Sequence, residues 1–358
     1  MCGVKRMPLT IDLFCNDGSP IGIIPGDVHG RGVGGAELSL VNWSQTMARR
    51  GHRIRIYNDP KETGVHNGVE WLPKRAFVDK EDRDVFVVFR SPNSHIKQAR
   101  AGIKIHWSHD QHTVGNFARD IFPFVDKIVS SSPYHIAYHK RRYGAEDSKI
   151  GCIDQGVVLS EYSEPIERIP GRCIFCSIAD RGLEILYAIW PKICRLRPDA
   201  SLVITADYRL WGAASPGNYQ HRMSWLHTPN VLFLGKIPRA DLVREQLAAQ
   251  VHSYPCTYEE LFCISVAECL VAGAVSVTSG TGALVTTNEF GVMLPGNVGD
   301  VGWQRQFAEY VVKMMDLPDE ERAAVQKQAR ARFDWNIICG QWEHLIETGE
   351  FPNTKEKA

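Results

Sequence analysis

The chain has 358 residues, and its 41 basic and 41 acidic side chains give a formal net charge of zero. That balance excludes the electrostatic footprint of a dedicated nucleic-acid binder, and no apolar run approaches the roughly 20 residues that cross a bilayer. Such a length suits two domains better than one core. The first residues, Met1 to Leu9, lack the apolar centre of a signal peptide. Ten cysteines are scattered through apolar surroundings, as expected of buried, reduced thiols in a cytoplasmic protein. Cys173 and Cys176 form a Cys-x-x-Cys, but they sit in an apolar strand with no second pair at zinc spacing, so they read as core.

In chain order, Thr10–Cys15 is a short strand, followed by a Gly-rich loop from Gly18 to Gly35. A helix over Ala36–Arg50 ends at Gly51-His52, and Arg53–Tyr57 is the next strand. Gly30, Gly32 and Gly35 satisfy G-x-G-x-x-G, with Asp59 at the end of the following strand, which is a dinucleotide fingerprint on paper. It is a weak one, because the loop is long and no strand runs straight into Gly30. Strands at Val85–Phe89, Ile103–Trp107 and Lys127–Ser130, a helix at Pro133–Tyr143 and a strand at Lys149–Ile153 continue the alternation. Strand–helix alternation of this kind implies a parallel sheet covered on both faces. His106, His109, Asp110 and His112 crowd one strand end, but their spacing fits no common zinc scheme. Lys140-Arg141-Arg142 reads as a solvated helix face, with contact to a membrane surface or an acidic acceptor as the sharper alternative.

Glu161–Arg172, with two prolines and little periodicity, is the natural linker. A second alternation follows: strand Cys173–Ser177, helix Gly182–Arg197, strands Ser201–Thr205 and Val231–Leu234, and a helix from Ala240. The stretch Ser253–Ala283 organises this half. It combines a strand end, a loop opened by Pro255, a helix stopped by Gly273, and a strand at Ala274–Thr278. Glu260 precedes the helix and Glu268 lies two turns on, so both carboxylates can face the carboxyl edge of the sheet. Trp303–Met315 and Asp319–Phe333 read as late helices. A break at Asp334-Trp335-Asn336, a last helix at Ile337–Ile346 and a disordered tail from Gly349 complete the chain.

Glu260-Leu261-Phe262-Cys263-Ile264, with Glu268 and Gly273 in register, resembles the signature of retaining, nucleotide-sugar-dependent glycosyltransferases of the GT-B fold. That large family includes sucrose synthases and bacterial mannosyltransferases. Cys263 stands where the family carries glycine. Gly34 and Gly35, in the run G-G-A-E, resemble the paired glycines that let backbone approach donor phosphates at a helix start. Ser177 and Arg181 match an S-x-x-D-R-G-L variant in which the arginine pairs with the donor diphosphate. Lys236-Ile237 falls on the turn beside the nucleotide base, and Gly280–Leu284 resembles the sugar-phosphate loop.

The resemblance implies two Rossmann-like α/β/α domains facing across a cleft. Residues 1–165 would form the acceptor domain, 166–335 the donor domain, and 336–358 a helix crossing back plus a tail. It implies transfer of a hexose from a UDP- or GDP-sugar to the hydroxyl of a sugar or glycan, with no cofactor and no metal. Arg181 would stabilise the leaving diphosphate, Glu260 would contact the transferred sugar, and Glu268 would accept the ribose hydroxyls. Phe262, Cys263 and Ile264 would line the donor. His109, or failing it His106, would stand near the anomeric carbon. Peripheral membrane contact is compatible with this picture. The rival readings are a phosphorylase or epimerase on the same fold, an NAD-binding oxidoreductase built on Gly30–Gly35, and a binding module without turnover.

Overall fold

The computed structural model describes residues 7–16, 26, 30, 32–91, 93–112, 116–211 and 217–352. Most of the expected loop from Gly18, and the expected tail beyond residue 352, lie outside the described residues. The chain divides into two compact units. The first comprises Met1–Gly26, Ala36–Asp154 and Trp335–Ala358; the second comprises Asp27–Gly35 and Gln155–Asp334.

The first unit holds an eight-stranded sheet in the order β3-β4-β2-β1-β5-β6-β7-β8. Its strands are β1 (Thr10–Cys15), β2 (Arg53–Tyr57), β3 (Gly64–His66), β4 (Val69–Leu72), β5 (Val85–Phe89), β6 (Ile103–Trp107), β7 (Lys127–Ser130) and β8 (Ile150–Cys152). All neighbours are parallel except β3 against β4. Central strands read as unbroken apolar runs because helices cover both faces, and every residue of β5 is buried. The β3–β4 hairpin was not among the expected elements, although its turn, Asn67-Gly68, carries the usual signal. Both residues have positive φ (50° and 80°), as a two-residue hairpin turn demands.

The helix Trp335–Thr348 belongs to this first unit and starts two residues before the expected position, the break being confined to Asp334. Its Trp342 ring lies 5.2 Å from Trp43 and 5.0 Å from Trp107. Its buried Glu343 accepts from Arg50 Nη2 at 2.6 Å and meets His52 Nε2 at 3.0 Å.

The second unit holds a six-stranded, wholly parallel sheet in the order β11-β10-β9-β12-β13-β14. These are β9 (Arg172–Phe175), β10 (Ser201–Ile204), β11 (Val231–Phe233), β12 (Val251–Tyr254), β13 (Val275–Ser279) and β14 (Val292–Leu294). Leu183, Leu186, Ile189, Trp190 and Ile193 form the buried stripe of the helix Leu183–Leu196, as their spacing requires. A helix at Gly217–Trp225 escaped the sequence reading, since only Trp225 of it is buried and no stripe marks it. No helix among the described residues is long and apolar enough to cross a membrane.

Behind β6 the first unit buries several imidazoles. Ser108 Oγ lies 3.3 Å from His135 Nε2 and 3.2 Å from His139 Nε2, and the two rings stand 4.4 Å apart. Burial pushes His106 down to about 3 and His139 down to about 4, and pushes His135 well below its ordinary value. The unfolded chain therefore binds protons that the folded chain refuses. This stabilisation is complete above pH ~6.5 and is lost as pH falls toward these depressed values. Denaturant titrations should show stability falling between pH 6.5 and 4 by up to about 1.4 kcal/mol per pH unit for each such histidine. His139→Gln should flatten that slope; a slope unchanged by the substitution would contradict this account.

Candidate active site

All six strands of the second sheet run parallel, so their carboxyl ends share one edge, where ligands of open α/β sheets bind. Three loops meet there, at two points without room for a side chain. After β9 the chain makes a short turn at Ala179–Arg181 and reaches Gly182 at φ 104°. A Cβ on Gly182 would lie 2.2 Å from the Pro255 carbonyl oxygen, in the loop after β12. Gly282, at φ 61°, comes as close to Glu260, where a Cβ would stand 2.5 Å from its carbonyl oxygen and 2.6 Å from its nitrogen. The Ala283 amide donates to that carbonyl at 2.7 Å, which closes the loop after β13 on the loop after β12. Only glycine fits at either point.

Held between these loops, Arg181 Nη1 forms an ion pair with Glu260 Oε2. Tyr254 donates its hydroxyl to the other carboxylate oxygen at 2.7 Å, and Ser177 Oγ lies 3.2 Å from that hydroxyl. The Arg181 guanidinium also sits 4.0 Å over the Tyr258 ring. Burial opposes the charge on Arg181, but Glu260 and Tyr254 outweigh it, so the guanidinium pKa is raised. Burial and Glu260 push the Tyr254 phenol well above its usual range, so it remains a donor. Beside this array, Asp180 accepts from the Tyr208 hydroxyl, whose pKa burial and Asp180 raise to about 12.

The helix Ile264–Ala272 points its amino end at the same edge. Cys263 precedes it at φ 81°, ψ 80°, with no side-chain cap. The residue at the glycine position of the resembling signature thus adopts the backbone that glycine takes most readily. Ile264 is half-buried, and Gly35 lies against it, since a Cβ there would stand 2.9 Å from Ile264 Cγ2. Gly34 is half-buried next to Gly35. Phe262 packs edge-on against Phe333 with the ring centroids 5.9 Å apart and is 2 % exposed, which makes it core.

Glu268 takes different partners from Glu260. Its Oε1 pairs with Arg239 Nη1 at 2.7 Å and its Oε2 accepts from Gln246 Nε2 at 3.1 Å. Arg239 also holds Glu161 through Nε at 3.0 Å and Nη2 at 2.8 Å, and Nη2 donates to the Tyr162 hydroxyl at 3.1 Å. A sequence alone leaves Arg239 as readily solvated as bound; here it is 5 % exposed and fully engaged. Burial pushes the Glu268 pKa up against the opposing pull of Arg239 and Gln246. Lys236 donates from Nζ to the Arg209 carbonyl at 3.3 Å, and its amide donates to Asp207 at 3.2 Å. The carbonyl of Ile237 is 2.9 Å from where a Cβ of Gly32 would stand. Asp207, which also accepts from Asn218 Nδ2 at 2.8 Å, carries no motif and was missed.

In the first unit, His109 lies between the rings of Phe89 (4.7 Å) and Trp107 (4.8 Å). Burial, then Arg90, then His106 hold it well below its ordinary pKa, so the imidazole is neutral. His106 is fully buried and meets Phe117 edge-on. Asp110 is taken by Arg90 at 2.7 and 2.9 Å, and Arg90 reaches Glu37 at 3.1 Å. Among the described residues the run His106–His112 gathers no metal-ligand set. Arg90, at φ 63°, was missed, although its partner Glu37 stands in the G-G-A-E run. Asp59, the acid of the dinucleotide reading, is paired with Lys74 at 3.1 Å.

Residues 179–332 match a family model described as "Glycosyl transferases group 1". Among curated proteins, the phosphatidyl-myo-inositol mannosyltransferase of Mycobacterium tuberculosis strain H37Rv is 25% identical over 173 residues, 47% of this chain and 44% of that protein. The match thus spans less than half of that relative's length. Among solved structures, a sucrose-phosphate synthase from Thermosynechococcus elongatus superposes with a TM-score of 0.69 at 16% identity, covering 95% of this chain and 98% of that one. Anabaena HepE in complex with UDP and glucose gives 0.66 at 16% identity, covering 95% and 100%. The fold is therefore GT-B, two Rossmann-like α/β units, and the second unit carries the group 1 glycosyltransferase pattern expected from Glu260–Gly273.

Two outcomes test the geometry. Cys263→Gly and Cys263→Ala both lose the thiol, but only glycine relieves the positive φ. Thermal melts should place the glycine variant about 1–2 kcal/mol above the alanine variant. Glu268→Ala removes the partner of a buried guanidinium, so denaturant unfolding should show a loss of about 3–5 kcal/mol. A Glu268→Ala protein as stable as wild type would make the Arg239 pair structurally idle.

Proposed function

We propose that the chain is a retaining glycosyltransferase that moves a hexose from a UDP- or GDP-sugar to an acceptor hydroxyl without a catalytic metal. The observation that carries this reading is the Arg181–Glu260–Tyr254 array, locked between two glycine contacts at the carboxyl edge of the sheet. A cation, an acceptor-only carboxylate and a helix amino end lie together there, which suits a sugar joined to a diphosphate.

In this reading the donor diphosphate lies against Arg181 and the amides opening the helix Ile264–Ala272. Charge that grows on the departing phosphate oxygen meets donors already in place, usually the largest catalytic contribution. Glu260, oriented by Tyr254, accepts hydroxyls of the transferred sugar. Glu268 has about four acceptor positions, of which Arg239 and Gln246 take two, leaving capacity for ribose hydroxyls. His109, kept neutral, accepts a hydrogen bond from the attacking hydroxyl. The bond from the anomeric carbon to phosphate breaks and the bond to the acceptor oxygen forms on the same face. The acceptor proton leaves on the departing phosphate. No second carboxylate is assigned as a nucleophile.

Thermal shifts against UDP, GDP, ADP, TDP, CMP and NAD, each with and without magnesium, identify the base. Binding at a hundredfold excess over Kd adds about 2.7 kcal/mol. One nucleoside diphosphate should shift the melt regardless of magnesium, and Arg181→Ala should lower kcat by about 10²–10³. A shift with NAD alone, phosphate-dependent cleavage of a glycoside, or donor binding without turnover would each replace this reading with a rival.

A further inference from the structure

The glycosyl-transfer reading leaves three buried side chains of the second unit unused. Cys176 directly follows β9, His252 lies on β12, and Cys269 lies on the helix Ile264–Ala272. Their ligand atoms lie within 4.8 Å of one another, and the two sulfurs are 3.6 Å apart. Cys176 is 8 % exposed and the other two are 0 % exposed. We propose that these residues form a structural site for a thiophilic d10 ion of the zinc or copper(I) type.

Bond lengths of about 2.3 Å to sulfur and 2.0–2.1 Å to nitrogen at tetrahedral angles put neighbouring donors roughly 3.5–3.8 Å apart. The sulfur pair already has that separation, and the imidazole needs about 1 Å of adjustment. Orientation is supplied from outside the cluster. His252 Nδ1 lies 3.1 Å from Ser276 Oγ, and the buried Nε2 has no hydrogen-bonded oxygen or nitrogen. An imidazole fixed through one nitrogen with the other turned inward is the usual arrangement of a metal ligand. Gln246 Nε2 also stands 3.8 Å from the Cys176 sulfur. Two thiolates neutralise a divalent cation, so a zinc-filled site buries no net charge.

The pairing is invisible in the sequence. Cys173 and Cys176 are three residues apart at a strand end and belong to opposite core clusters, Cys173 with Phe175 and Cys176 with Cys269. The ion would tie together the elements that carry Ser177, Tyr254 and Glu268.

The test is the metal content of tag-free protein by plasma mass spectrometry, with separate zinc and copper channels. About one ion per chain is expected, retained by Cys173→Ser and lost from Cys269→Ser and His252→Ala. Because those two variants can misfold, chelator-treated wild type is also titrated with cobalt(II), which should develop a thiolate-to-cobalt charge-transfer band. Less than a tenth of an ion per chain with no cobalt band overturns the proposal, and so does full retention in both Cys269→Ser and His252→Ala.

Discussion

The second unit depends on two places where main chain meets main chain with no side chain between. Gly182 presses against the Pro255 carbonyl and Gly282 against the backbone of Glu260. These contacts fuse the loops after β9, β12 and β13 into one surface at the carboxyl edge. Arg181 follows from the first contact, because it is the residue before the glycine. Glu260 follows from the second, because its own carbonyl and amide are the atoms approached. The ion pair is therefore set by backbone packing, which leaves its side chains little conformational freedom. Preorganisation of that kind is what makes electrostatic stabilisation effective.

The two carboxylates of the signature have separate guanidinium partners, and the two arginines differ in burial. Arg181 is 19% exposed and stacks on the Tyr258 ring, so the pair with Glu260 lies nearer solvent. Arg239 and Glu268 are both nearly sealed; Glu161 and Tyr162 take the other donors of Arg239, and Gln246 donates to the second oxygen of Glu268. A sealed pair costs desolvation and returns it only with full satisfaction of the remaining donors and acceptors. That requirement links the linker residues 161 and 162 to the helix that carries Glu268.

Much of this was legible in the sequence, for a physical reason. Strands of doubly covered parallel sheets are short apolar runs, so β1, β2, β5, β6 and β7 stood out at their true bounds. Gly273 was readable as a helix cap, whereas Arg181 and Glu260 were singled out through the resemblance to the glycosyltransferase signature. What was not legible depends on distance along the chain. Tyr162 meets Gln246 across 84 positions, and Cys176 meets Cys269 across 93. No local pattern reports either. The Asn67-Gly68 hairpin is different: its signal was present and was passed over among the parallel strands.

The helix Trp335–Thr348 completes the first unit, although nearly all of that unit precedes Asp154. Glu343 and its partner Arg50 are 293 positions apart. At about 5–20 residues per second of synthesis, Arg50 waits on the order of tens of seconds for its carboxylate. Trp43 and Trp107 wait as long for the ring of Trp342 to cover them. The half that is made first thus finishes last on the ribosome. The second unit, contiguous from Gln155 to Asp334 apart from the short piece Asp27–Gly35, is fully synthesised while its neighbour still exposes an indole surface.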